Sequence, residues 1–399
     1  MGRLYAIVAV LGDVSNALQV TRSGGVWCRI VAVWRERMTQ VAFAIVGTGW
    51  RSRFYLRVAR ELPERFRVTG VLTRDPARRD LQDAWSVPPR ATLDELLADR
   101  PSFVVVSVPW SVTPALLREL ADRGMPALAE TPPAPDLDAL EALGDLARRG
   151  ARIQVAEQYQ FQPMIAAQLA LVASGRLGAV SEAQVSIAHG YHGIDLLRRF
   201  LGVGLDPATI TARRFSAPIV AGPDRAGPPA TERMARSEEI IAWLDFGGRL
   251  GIHDFADDQY FSWIRGRRLL VRGDRGEMDG TAVRYLLDAL MPVELELVRR
   301  DAGRDGNLEG LHHVGVTAGA EWLYRNPLAP ARLADDELAV ASCLEGMAGY
   351  VDGGPGFCGL AEGAHDHYLG LMMARAADEG RTLTAPGLSW TRGLDSPRR

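Results

Sequence analysis

The chain has 399 residues, too many for one ordinary hydrophobic core, so two domains are expected. A net charge of −3, with arginine as its only cationic side chain besides histidine, gives no basic footprint for nucleic acid. No apolar run approaches the roughly 20 residues that a membrane-spanning helix requires. Cys28, Cys343 and Cys358 are too widely spaced for a redox pair or metal cluster. They read as free thiols in a reducing cytoplasm. Residues 1–37 fit poorly with the rest of the chain. Leu4–Leu11 is a short apolar stretch behind Arg3, yet no small-residue cleavage site precedes Trp34-Arg35-Glu36-Arg37. This segment reads as a mis-assigned start or a disordered extension, with the functional protein beginning at Met38.

Val41–Val46 (VAFAIV) is a continuous apolar run, as expected of a strand buried on both faces of a parallel sheet. A glycine turn follows, then a helix from about Trp50 to Leu62. Further strands are expected at Arg67–Leu72, Phe103–Val108, Pro126–Ala129 and Arg152–Ala156, with helices at Thr113–Gly124 and Leu137–Arg148. Strands separated by helices imply right-handed βαβ crossovers and a doubly wound parallel sheet over residues 38–160.

The pattern changes near residue 160. A helix at Pro163–Ser174 leads to an alternating strand at Val180–Ala188, and Ala217–Arg236 reads as a Pro/Gly-rich loop. Alternating segments at Glu239–Phe246, Arg249–Phe255, Tyr260–Ile264 and Arg268–Gly273 predict a mostly antiparallel sheet. Helices at Asp336–Tyr350 and Gly363–Asp378 close the chain. The expected class is therefore α/β: a Rossmann domain (38–160), an α+β substrate and oligomerisation domain (161–385), and a tail (386–399).

In the segment AIVGTGWRSRF, Gly47 and Gly49 flank Thr48 in a strand-to-helix turn that lets a pyrophosphate approach the backbone. The helix start at Trp50 and Arg51 offers free N–H groups to the phosphates. The third fingerprint position is Ser52 in place of glycine. At the end of the second strand, Thr73-Arg74 stands where an NAD-specific site carries a carboxylate. A hydroxyl and a guanidinium suit a 2′-phosphate, so NADP is expected over NAD, although Asp75 is one residue further on.

Three separated motifs carry a family pattern: Val104–Trp110 (VVVSVPW), Leu128-Ala129-Glu130-Thr131-Pro132, and His192-Gly193-Ile194-Asp195-Leu196-Leu197. Together they resemble the Gfo/Idh/MocA oxidoreductases over residues 41–385. The resemblance implies hydride transfer at a carbon bearing a hydroxyl, usually of a sugar or cyclitol. It places the nicotinamide near Ser107, Pro109, Glu130 and Thr131, and implies a homo-oligomer, dimer or tetramer, built on the open sheet. Two positions depart from the pattern. Thr131 replaces the family's lysine, and Ala188 occupies the position of the acid four residues before His192.

His192 is the candidate proton carrier, because imidazole titrates near neutral pH. Tyr191 and Thr131 are the other candidates for catalysis. Tyr159 and Gln160, following the last parallel strand in Glu157-Gln158-Tyr159-Gln160, are candidates to reach substrate hydroxyls, as is His189. Asp195, three residues after His192, is a candidate to orient its ring or touch substrate. No third ligand accompanies His189 and His192, so no metal is expected. His312-His313 and His365-Asp366-His367 read as structural. The chain is thus expected to be a cytoplasmic NADP(H)-dependent oxidoreductase of a small polyhydroxylated or cyclic molecule, without nucleic-acid or membrane partners. The alternatives are a dinucleotide-binding protein without turnover and a redox-assisted lyase or glycosidase.

Overall fold

The computed structural model describes residues 40–77, 79–306, 310–391 and 394, which all lie in a unit that begins at Gln40. The expected extension 1–37, with Cys28, lies outside the described residues. Strands β1 (Val41–Val46), β2 (Phe66–Leu72), β3 (Pro89–Arg90), β4 (Phe103–Val106), β5 (Ala127–Ala129) and β6 (Ile153–Val155) form a parallel sheet in the order β3-β2-β1-β4-β5-β6. This is the doubly wound order, with the chain reversing direction across the sheet between β1 and β4. Helix α1 (Ser52–Glu61) follows the glycine turn and buries Phe54, Tyr55, Leu56 and Val58. Three short elements are not legible in the sequence: a helix at Arg79–Trp85, β3, and a helix at Leu93–Ala98 capped by Thr92, whose hydroxyl accepts from the Glu95 N–H. Their apolar periods are too short to rise above the surrounding polar residues.

A second, eleven-stranded sheet is antiparallel except where β7 (Val180–Ser186) lies parallel to β10 (Leu250–Ala256). Beside β10 runs a long hairpin of β8 (Ala208–Val220) and β9 (Met234–Asp245), paired out to Val220 and Met234. The expected loop at Ala217–Arg236 therefore shrinks to 221–233. Strand pairing carries the chain through Pro218, whose missing N–H makes the segment read as a loop. The strand expected at Tyr260–Ile264 is absent. A 3-10 turn at Asp257–Tyr260 stands there instead, and Gln259 anchors it by donating to the Ser186 and Gly266 carbonyls. Strand alternation and one turn of helix cannot be told apart over so few residues.

Helix α2 (Gly190–Leu201) and the long C-terminal helix (Leu360–Glu379) pack together between the sheets. Of the expected tail, the described residues 386–391 are tied down: Trp390 Nε1 donates to the Leu140 carbonyl at 3.1 Å, and Leu388 and Thr391 are buried. Among the described residues no helix is long and apolar enough to cross a membrane.

Candidate functional site

The carboxyl ends of the parallel strands open into a cavity of about 1130 Å³. Ligand pockets commonly run about 300–1,000 Å³, so a dinucleotide can share this one with a small second molecule. One end is the glycine turn. Gly47 has φ +112°, and a Cβ there would lie 2.0 Å from the Ser107 carbonyl oxygen, so only glycine lets the turn pass over β4. Ser52, the variant third position, is buried and donates its hydroxyl to Ser107 Oγ at 3.1 Å. That bond ties the start of α1 to the end of β4. Thr48, Gly49, Trp50, Arg51, Ser107 and Pro109 line the same end. Trp50 packs edge-on against Phe54, and the guanidinium of Arg225, from the β8–β9 loop, lies 4.2 Å over its ring.

Thr73 and Arg74 also line the cavity, whereas Asp75 does not. Asp75 is spent on the turn: its N–H donates to Thr73 Oγ1 at 3.2 Å and its Oδ1 accepts from the Ala77 N–H at 3.2 Å.

Glu130, at the end of β5, accepts from Arg51 Nε at 2.9 Å and from the Tyr55 hydroxyl. Burial works against the charge on Arg51, but Glu130 holds its pKa above the ordinary arginine value. Thr131 lines the cavity next to it, as does Tyr191. Burial raises the Tyr191 pKa, so its proton stays in place at neutral pH.

The far end of the cavity is built around His192. Gly190, at φ +40°, turns β7 into α2 and places Tyr191 and His192 in the first turn of that helix. His192 Nδ1 lies 2.7 and 2.9 Å from the two carboxylate oxygens of Glu157, which follows β6. Both side chains are buried. Burial, with the Asp195 charge, raises the Glu157 pKa well above the usual carboxylate range. Burial, with the Arg51 charge, lowers that of His192 to about 3. Both shifts favour uncharged groups. Those uncharged forms place a carboxylic acid against Nδ1 and leave Nε2–H as the free position of the imidazole. When one proton is lost, the carboxylate accepts from Nδ1–H and Nε2 offers a lone pair.

This corrects two sequence expectations. Asp195 does not orient His192 or line the cavity; it is fully buried and accepts from Arg199 Nε at 2.8 Å, one helical turn on. Gln160 does not reach the cavity either, because its amide donates to the Glu157 carbonyl at 3.1 Å; Gln158 lines the wall instead. The orienting acid lies 35 residues before His192, and no local spacing marks it. Tyr159, by contrast, does line the cavity, its ring 4.7 Å from that of His192. Tyr260, which no sequence signal singles out, bonds His189 twice: Nδ1 at 2.5 Å and the backbone N–H at 3.0 Å. Burial and the neighbouring histidines lower the His189 pKa to about 3, so it faces the cavity uncharged.

Away from the cavity, Asp195, Cys358 and Asp366 bring possible metal-ligand atoms within 4.8 Å of one another. Arg199 compensates Asp195 and Arg198 compensates Asp366, so this cluster already carries its cations.

The profile of the Gfo/Idh/MocA oxidoreductase family, NAD-binding Rossmann fold, matches residues 41–158. A myo-inositol dehydrogenase of Streptomyces leeuwenhoekii is 37% identical over 109 residues, which is 27% of this chain and 34% of that protein. The match thus spans about a third of that relative's length. Solved structures share the whole fold. An oxidoreductase from Agrobacterium radiobacter, in complex with NAD+, L-tartaric acid and magnesium, aligns with a TM-score of 0.60 at 18% identity, covering 86% of this chain and 98% of its own. A levoglucosan dehydrogenase in complex with NADH and L-sorbose aligns with a TM-score of 0.62 at 12% identity, covering 88% and 100%. A myo-inositol dehydrogenase from Corynebacterium glutamicum gives 0.59 at 17%, covering 87% and 99%.

Proposed function

We propose, from the premise that this chain belongs through residues 41–158 to the Gfo/Idh/MocA oxidoreductases, that it moves a hydride between a nicotinamide dinucleotide and a hydroxyl-bearing carbon of a small polyhydroxylated or cyclic substrate. The observation that carries this reading is His192 in the wall of the cavity that begins at the glycine turn, with the buried Glu157 carboxylate on its Nδ1. The residues fit a dinucleotide. The glycine turn admits a pyrophosphate, and buried polar atoms of two wall residues, Arg51 and Gln158, have no partner within the protein. When bound, the nicotinamide supplies the hydride donor or acceptor.

The protein's own part is the proton. In carbonyl reduction, Nε2–H of His192 gives its proton to the oxygen, and Glu157 then returns to the carboxylate that holds Nδ1–H. In alcohol oxidation Nε2 takes the hydroxyl proton. Tyr191, which lines the cavity beside His192, is placed to hydrogen-bond the same oxygen in the absence of the family's lysine. Tyr159, Tyr260 and Trp110 offer ring faces to the C–H faces of a cyclic polyol, with hydroxyls and His189 for its oxygens. A broad panel of inositols, sugars and their keto forms, followed by absorbance at 340 nm, tests the reading. Turnover of none of them would overturn it.

NADP is the favoured cofactor. Arg74 lines the cavity, and the carboxylate that could hold a ribose hydroxyl, Asp75, is turned into its own loop. Replacing Arg74 by alanine is expected to weaken NADP binding about tenfold or more and NAD binding little, read by calorimetric titration. Equal weakening of both would count against the assignment. The exposed Phe215 and Trp243 on the long hairpin are candidates for self-association, which light scattering of the purified chain decides.

A further inference from the structure

Among the described residues that line the cavity, two carry buried side-chain polar atoms without a hydrogen-bond partner: Nη2 of Arg51 and Oε1 of Gln158. The first can only donate and the second only accept. Gln158 is 6% exposed, and a buried polar group left unpaired is costly. Arg51 is held from behind, its Nε fixed on Glu130, and the backbone of Gln158 directly follows Glu157, which is fixed on His192. They emerge after β1 and after β6, on opposite sides of the strand ends where a doubly wound sheet binds its ligand.

A ligand that completes this pair must present one acceptor and one donor together in a buried place. We infer that Arg51 and Gln158 clamp the primary carboxamide of the nicotinamide, Arg51 Nη2–H donating to its carbonyl oxygen and its NH2 donating to Gln158 Oε1. This rests on the dehydrogenase reading and deepens it. Because Gln158 and Glu157 are adjacent, the clamp orients the ring relative to the proton-carrying imidazole of His192. Gln158 is thus a positioning residue, and substitution there acts on cofactor binding before it acts on rate.

The test is binding by calorimetry with the full chain. The probes are NAD, NADP and their 3-acetylpyridine analogues, in which a methyl group replaces the carboxamide NH2. Wild type is expected to bind the carboxamide forms about fivefold to tenfold more tightly. Gln158→Met should erase that ratio by weakening only the carboxamide forms, while Gln158→Glu, which keeps an acceptor oxygen, should retain it. Gln158→Ala repeats the first result if the methionine variant fails to fold. A ratio near one in wild type, an unchanged ratio in Gln158→Met and Gln158→Ala, or equal weakening of both forms would each overturn the clamp. Failure of wild type to bind any dinucleotide would instead bring down the dehydrogenase reading, and the clamp with it.

Discussion

Glu157→Gln is expected to lower carbonyl reduction at pH 7 by about 100-fold, within the range that general acid–base catalysis contributes, while cofactor affinity stays unchanged. The reason lies in where the proton resides. Burial raises the Glu157 pKa well above the usual carboxylate range and lowers that of His192 to about 3, so both shifts favour the state in which a carboxylic acid faces a neutral imidazole. Reduction consumes that proton and requires the doubly protonated pair. Its rate should therefore fall as pH rises through the apparent pKa of the pair, while alcohol oxidation, which requires the pair with one proton, should rise over the same interval. In Glu157→Gln the amide cannot store a proton, and the imidazole alone is deprotonated at pH 7. The reduction limb should then move toward acid pH, and oxidation should suffer less than reduction. His192→Asn removes the carrier itself, and both directions should drop by about 10²–10⁴. An unchanged pH profile in Glu157→Gln would mean that the pair is structural.

The second large effect concerns stability. Arg198 is fully buried on α2, where its Nη1 pairs with Asp366 and its Nε donates to the Gly204 carbonyl at 2.7 Å. Arg198→Ala takes the guanidinium away from a carboxylate that stays buried, and breaking such a pair costs about 3–5 kcal/mol. The urea midpoint should fall accordingly, with the slope of the transition preserved. The double variant Arg198→Met/Asp366→Leu should recover most of the loss, because it removes both charges. If the double variant is no more stable than the single one, the charge imbalance is not the cause.

The nucleotide half of this protein is largely legible in its sequence. An apolar run with no alternation, such as Val41–Val46, is the signature of a strand covered on both sides, and the glycine turn after it follows from backbone sterics alone. The start of β7, the two C-terminal helices and the placement of His192 at a strand-to-helix junction are likewise written in local periodicity. Residues such as Tyr260 and the hairpin arms around Pro218 are not, because a 3-10 turn and a strand edge carry no period of their own.

The site divides in the same way. Candidates that lie next to one another along the chain could be picked out from sequence: Gly47 with Gly49, Thr73 with Arg74, Tyr191 with His192. Sequence left open which acid holds the imidazole and offered Asp195, the nearest carboxylate on the same helix. Tertiary structure decided otherwise. It turns Asp195 into the core against Arg199 and brings Glu157 from the end of β6 onto Nδ1. The physical reason is that a helix reports only partners three or four residues apart, whereas a buried pair forms wherever packing brings two strand and helix ends together. The unmatched atoms of Arg51 and Gln158, far apart in the chain and both on residues that line one cavity, exist only at that level.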